Sequence, residues 1–349
     1  MRLFSCSNCH TTLHFDNSRC LSCQSPVALD PETMDMLALG DGDVPLVDGT
    51  PQGAPRNLCA NAIHNACNWL AEDGEEFCLA CRHNLVIPDL SVPENLENWQ
   101  KIEAAKHMLF YSLQRFGLPM PPRDDAHPEG LAFEFLSDDP ALTNGQPVMT
   151  GHDRGLITLN IAEASDAERE ARRVALGEPF RTLIGHFRHE VGHYYWNVLV
   201  RDAGRLEECR ALFGNDEEDY GEALNRHYQQ GPVAGWETSF ISAYAASHPW
   251  EDFAECWAHY FHMVDALETA YAFGLKTNPD TDEDGLALDV NFDPYRVRSV
   301  KTLIRAWVPL TVAINGINRS MGQPDLYPFV VSDPVVAKLD FIHRLIAGR

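Results

Sequence analysis

The chain has 349 residues, enough for one sizeable core and a smaller domain, and its 45% hydrophobic and 22% charged content is that of a globular protein, not a disordered or fibrous one. A formal net charge of -24 would repel a phosphate backbone, so nucleic acid is not an expected partner. The N-terminus MRLFSCSNCH lacks the pattern of a secretion signal and no apolar run reaches the length of a membrane span, so the expectation is a cytoplasmic protein without membrane contact.

Eight of the ten cysteines fall into two clusters with metal-ligand spacing, which suits reduced thiolates better than disulfides. Cys6, Cys9, Cys20 and Cys23 read C-x2-C-x10-C-x2-C, two knuckles that each offer two sulfurs to one tetrahedral ion, with a small hairpin expected at Thr11 to Phe15. This pattern resembles a zinc ribbon. Cys59, Cys67, Cys78 and Cys81 form a less regular second set, read as a second structural zinc site, with His64 as a substitute ligand inside its first gap. Cys209 and Cys256 lie in helical contexts and are expected to pack in the core.

Between the clusters, the stretch from Asp30 to Asn57 is rich in Gly, Pro and Asp and reads as a linker or loosely packed loop. Residues 1–90 are thus expected to form a zinc-ribbon module that bound metal helps to fold, because so short a segment buries little apolar area.

From Pro93 the pattern becomes helical: Leu96, Trp99, Ile102, Leu109, Leu113 and Phe116 recur until Gly117 and Pro119 stop the helix. LAFEFL at 131–136 and GLITLNIAE at 155–163 have strand character, and Asp166 is placed to cap a following helix. Arg181 to Val200 reads as a buried helix containing His189, Glu190 and His193 in the spacing HExxH. Residues four apart share a helical face, so both imidazoles can reach one zinc while Glu190 stands beside a water on the metal. Gly192 lets another segment approach closely.

In SHPWEDFAECWAHYF, Glu251 and Glu255 are four apart near a helix start. Glu251 is the candidate third zinc ligand and Glu255 the acceptor for the other ring N–H of a ligand histidine. His186, His248, His259 and His262 lie nearby in sequence and are read as surface or capping residues without a role. Asp280, Asp282 and Asp284 imitate the start of a calcium loop, but Asn291 stands where its bidentate Glu belongs, so an acidic solvated loop is expected. Two helices close the chain, the first interrupted at Pro309 and both packed behind the catalytic helices.

HExxH followed by ExxxE resembles gluzincin metallopeptidases, and YAASHPWEDFAE, Tyr244 to Glu255, is similar to the matching segment of lethal-factor-like gluzincins. There a Tyr seven residues before the ligand Glu faces the metal, which carries over onto Tyr244. The cysteine module joined to HFRHEVGHYYW and PWEDFAE is similar, over nearly the whole chain, to bacterial zinc-binding metallopeptidases with an N-terminal zinc ribbon. These resemblances imply an α+β, zincin-like, mainly helical catalytic domain with a small sheet over 91–349. They also imply zinc-dependent peptide hydrolysis in which Glu190 is the general base and Tyr244 an oxyanion donor. In zincins the strand before the active-site helix is an edge strand that pairs with extended substrate, a role GLITLNIAE would take; a buried central strand has the same periodicity.

The expected cofactors are one catalytic and two structural zinc ions, and the expected partners a peptide or protein substrate and a protein docking on the ribbon. Two alternatives remain open at this level: a protease acting on DNA-associated proteins, which the acidic ribbon disfavours, and a ribbon-borne binding module whose peptidase domain is inactive, which an intact Glu190, Glu251 and Tyr244 disfavour.

Overall fold

The computed structural model describes residues 1–138, 148, 150–176, 182–280 and 285–348. Its contacts divide the chain into two compact units, Met1–Leu113 with Pro119–Ala171, and Gln114–Leu118 with Arg172–Arg349.

In the first unit, β1 (Phe4–Ser5) pairs antiparallel with β2 (Thr12–Leu13) around the first cysteine knuckle. Only Thr12 and Leu13 of the stretch expected to form a hairpin are strand, and their partner lies upstream. The two knuckles repeat one geometry. Cys6 and Cys20 each accept at their carbonyl from the amide four residues on, His10 and Gln24, and both of those residues take positive φ to close the turn.

The segment expected as a linker is instead ordered as a sheet. β3 (Val27–Asp30), β4 (Asp35–Leu39), β5 (Pro45–Val47) and β6 (Thr50–Pro51) form an antiparallel meander in that order. Its Gly and Asp residues mark hairpin turns, not slack chain: Asp48 and Gly49, at φ 50° and 78°, form the two-residue connection between β5 and β6 that matches strand twist. Ala28, Leu39 and Leu70 form the buried core of this part, with Leu37 and Leu58 packed against it.

β7 (Asn84–Val86), the helix α1 (Pro93–Phe116), β8 (Ala132–Leu136), β9 (Gly151–Asp153) and β10 (Leu156–Asn160) follow. α1 has the expected bounds; it buries Trp99, Ile102, Leu109 and Leu113 and ends at Gly117, whose φ of 67° costs a Cβ-free residue little. The sheet order is β7-β8-β10-β9, with β10 parallel to β8 and antiparallel to β9. β10, the strand expected to receive substrate at an edge, is therefore interior, hydrogen-bonded on both sides, with Ile157 and Leu159 fully buried.

Next comes α2 (Asp166–Leu176). The second unit is mainly helical: α3 (Leu183–Trp196), α4 (Leu206–Phe213), α5 (Tyr220–Gln230), α6 (Pro249–Ala272), α7 (Val300–Ser320) and α8 (Asp333–Ile346), with a short pair β11 (Lys276–Thr277) and β12 (Leu288–Asp289). Residues 281–284, which carry two of the three aspartates of the acidic loop, lie outside the described residues.

α3 packs most extensively on α6, and both α7 and α8 pack on α6 in turn. Gly192 permits the first contact: a Cβ there would sit 3.0 Å from the Ala254 Cα and 3.2 Å from the Trp257 Cβ. Beside it the Tyr195 and Trp257 rings stack at 4.9 Å, and a buried Arg188–Asp265 ion pair ties the same two helices. Lys338 on α8 reaches Asp252 on α6 at 2.6 Å, and the Tyr260 hydroxyl meets the His343 Nδ1 at 2.8 Å. α7 is not interrupted at Pro309; the helix runs through it, with Pro309 buried. Cys209 and Cys256 are both buried in this unit. The architecture is α+β, and among the described residues no helix is long and apolar enough to cross a membrane.

Candidate metal centres

Thr182 caps α3, its hydroxyl accepting from the Gly185 amide at 3.0 Å, and the helix turns His189 and His193 to one face. Their Nε2 atoms lie 3.2 Å apart. α6 begins at Pro249 with His248 as its cap, the imidazole Nδ1 accepting from the Trp250 amide at 3.1 Å, which fixes the first turn carrying Glu251. Glu251 Oε2 then stands 2.9 Å from His189 Nε2 and 3.5 Å from His193 Nε2. Two imidazoles and a carboxylate bound to one tetrahedral zinc would be separated by about 3.3 Å.

The surrounding bonds decide what these atoms can be. His189 Nδ1–H donates to Glu255 Oε1 at 2.8 Å, and the Ser242 hydroxyl donates to Glu255 Oε2 at 2.6 Å. With Nδ1 carrying the proton, a neutral His189 presents the Nε2 lone pair toward Glu251. The Tyr220 hydroxyl donates to Glu251 Oε1 at 2.8 Å, while the buried Oε2 has no hydrogen-bond partner among the described residues and faces the imidazoles. Lone pairs converging in a buried space need a cation between them. The titration tendencies agree: burial pushes His189 down, yet Glu251 and Glu255 raise it well above its ordinary value; burial pushes Glu251 up, yet His193 and His189 hold it well below. The donor set of two histidines and one carboxylate fits a zinc with a position left for water.

Glu190, next to His189, is buried and has His186 Nε2 3.3 Å from its Oε1. Burial raises its pKa, but the His186 contact and the neighbouring imidazoles lower it further, so the group favours the carboxylate form. The Tyr244 ring centroid lies 5.9 Å from that of His189. Burial, then Glu251 and Tyr220, push the Tyr244 phenol up, which keeps its proton available for donation. The Trp250 ring covers His193 at 3.8 Å between centroids.

Sequence reasoning thus brought His189, Glu190, His193, Tyr244, Glu251 and Glu255 to one place, and it missed Tyr220, Ser242 and Trp250. It also left His186 without a role, although its i,i+4 spacing to Glu190 puts the two on one helical face. His248 is a cap as expected, whereas His259 is buried and is neither surface nor cap.

The two cysteine sets each gather. Cys6 and Cys23 sulfurs are 3.7 Å apart, Cys9 and Cys20 3.6 Å, and all four lie within 4.8 Å of one another. Cys59, Cys67, Cys78 and Cys81 do the same, with Cys67 and Cys78 at 3.6 Å. The edge of a four-sulfur zinc tetrahedron is about 3.8 Å. Contacts from Thr11 lower the Cys9 thiol to about 6, while burial pushes Cys6 up to about 12. His64 is not in the second group; its ring packs edge-on against Trp99 at 6.0 Å.

Residues 95–345 match the family model described as putative zinc-binding metallo-peptidase, and residues 3–92 match a zinc-ribbon domain. Uncharacterized proteins of Mycobacterium bovis and of Mycobacterium tuberculosis are each 40% identical over 349 residues, covering 99% of this chain and 95% of the relative. No solved structure matches. With that match over most of its length and a zinc-ribbon domain before it, the chain belongs to the family described as putative zinc-binding metallo-peptidase.

Proposed function

We propose that the chain is a zinc-dependent peptidase in which His189, His193 and Glu251 hold the catalytic ion and Glu190 is the general base. The observation that carries this reading is the convergence of the two Nε2 atoms and Glu251 Oε2, at 2.9 to 3.5 Å, beside the buried carboxyl of Glu190. A zinc ion bound there supplies a Lewis acid that activates water and polarises a peptide carbonyl. Glu190 takes the proton from the attacking water and delivers it to the departing amine. Tyr244, with its phenol held protonated, donates to the carbonyl oxygen as negative charge develops on it. Glu255 and Tyr220 position: the first fixes the His189 tautomer, the second holds Glu251 with Oε2 toward the imidazoles.

The two cysteine sets hold structural zinc, giving three ions per chain, and we take 1–90 as the ribbon module and 91–349 as the peptidase domain. Eight thiols that must stay reduced to bind metal suit the cytoplasm. The ribbon is read as a surface for a protein partner.

The test is peptide hydrolysis by the zinc-loaded chain, followed by mass spectrometry on a mixed peptide library. Cleavage that a chelator abolishes and added zinc restores is expected. A fully zinc-loaded chain that cleaves no member of the library would contradict the reading.

A further inference from the structure

The second cysteine set has a fifth donor beside it. His107, on α1 and buried, places its Nε2 3.2 Å from Cys67 Sγ, 3.7 Å from Cys81 Sγ and 3.8 Å from Cys78 Sγ. Three sulfurs at 3.2 to 3.8 Å from one nitrogen bracket the edge of a coordination polyhedron, about 3.6 Å for sulfur and nitrogen on one tetrahedral zinc. A ring that merely donated to one thiolate would be close to one sulfur and far from the others. The opposite ring nitrogen, Nδ1, donates to the Glu103 carbonyl at 2.6 Å, so a neutral His107 directs the Nε2 lone pair into the cluster. This backbone bond is what ligand histidines use to fix their tautomer.

Glu103 is the other α1 residue near the sulfurs, with Oε2 3.6 Å from Cys81 Sγ. Its carboxylate is already committed: Lys106 Nζ lies 2.9 Å from Oε2 and Asn84 Nδ2 donates to Oε1 at 2.7 Å, with both charged side chains fully buried. Among the described residues, His107 Nε2 has hydrogen-bond contacts with the three sulfurs alone.

We propose that His107 is a metal donor at this cluster, so that Cys67, Cys78 and Cys81 are shared by two four-donor sets, one closed by Cys59 and the other by His107 Nε2. The three shared sulfurs form a common face with the two alternative donors available to complete it. Either set gives a divalent ion four ligands, and the second set leaves one less negative charge in a buried place. The ion is thereby tied to α1 as well as to the ribbon, and loss of Cys59 does not empty the site. This holds whether or not the chain is a peptidase, because no donor comes from the histidine and glutamate centre.

The experiment uses the full chain labelled with 15N-histidine and loaded with 113Cd, in wild type, Cys59→Ala, Cys59→Ala/His107→Ala and His107→Ala. In Cys59→Ala the number of bound ions should equal that of wild type, and a cadmium resonance in the thiolate range should show one-bond coupling to a single histidine nitrogen. The double variant should hold one ion fewer, and His107→Ala, with four cysteines intact, should keep the wild-type count. Loss of the ion in Cys59→Ala, or its retention there without nitrogen coupling, would overturn the proposal; that readout stands even if the double variant fails to fold.

Discussion

The Tyr220 hydroxyl donates to one oxygen of Glu251 at 2.8 Å, and this leaves the other oxygen 2.9 Å from His189 Nε2. Tyr220 lies on α5, 31 residues before its partner; its hydroxyl orients that carboxylate, and its ring packs edge-on against Trp250 at 5.8 Å. Tyr220→Phe removes the bond and keeps the ring, so zinc affinity should fall by about tenfold with the fold intact, as is usual when such a supporting bond is lost. Competition against a chromophoric chelator reads this; an unchanged affinity would mean that Glu251 is held by packing alone.

Glu251→Gln removes the charge that the two imidazoles face. The zinc count should fall by one while the cysteine-bound ions stay. Glu255→Gln should weaken binding by about 10- to 100-fold without abolishing it, since His189 keeps its ligand atom and loses only its charged acceptor. If Glu255→Gln loses more zinc than Glu251→Gln, the two roles are exchanged.

Gly192→Ala sets helix propensity against space. Alanine gains about 1 kcal/mol in a helix interior, but the added Cβ meets the Ala254 Cα at 3.0 Å, a backbone atom that cannot rotate away. Overpacking of a helix contact costs about 1–3 kcal/mol, so a net loss of about 1 kcal/mol is expected. Urea unfolding gives the answer directly; a higher midpoint in the variant would show that α3 and α6 have room to separate.

His259 supplies an acid sensitivity. Buried, with its Nδ1 2.7 Å from the Tyr327 hydroxyl and its ring on Phe329, it is pushed from 6.5 down to about 4, chiefly by burial. The unfolded chain therefore takes up this proton first as pH falls. The stability is fully present above pH 6.5 and is lost as pH falls from there toward 4, by about 2 kcal/mol at pH 5. His259→Gln should flatten the pH dependence of unfolding between pH 7 and 5 relative to wild type; parallel curves would assign the acid loss to other histidines.

The candidate metal-binding groups are legible where their spacing is local. The four-residue steps from His189 to His193 and from Glu251 to Glu255 map directly onto helix faces, and the paired cysteine knuckles are equally short-range. Tyr220, Ser242 and His107 could not be read this way, since each reaches its partner from a separate element. The sheet at 27–51 is hidden for a different reason: Gly and Asp serve slack chain and tight turns alike, and Asp48-Gly49 is here a hairpin turn between short strands. For β10, periodicity gave a strand but not its neighbours, which decide edge from interior.

The most direct test of the catalytic reading is the comparison of wild type with Glu190→Gln, measured as zinc content and as the rate of cleavage of one good peptide. Gln keeps the size and the hydrogen-bonding capacity of Glu190 but cannot accept the proton. Zinc content should be unchanged and the cleavage rate should fall by at least about a hundredfold. A variant that binds zinc normally and cleaves as fast as wild type would contradict the account.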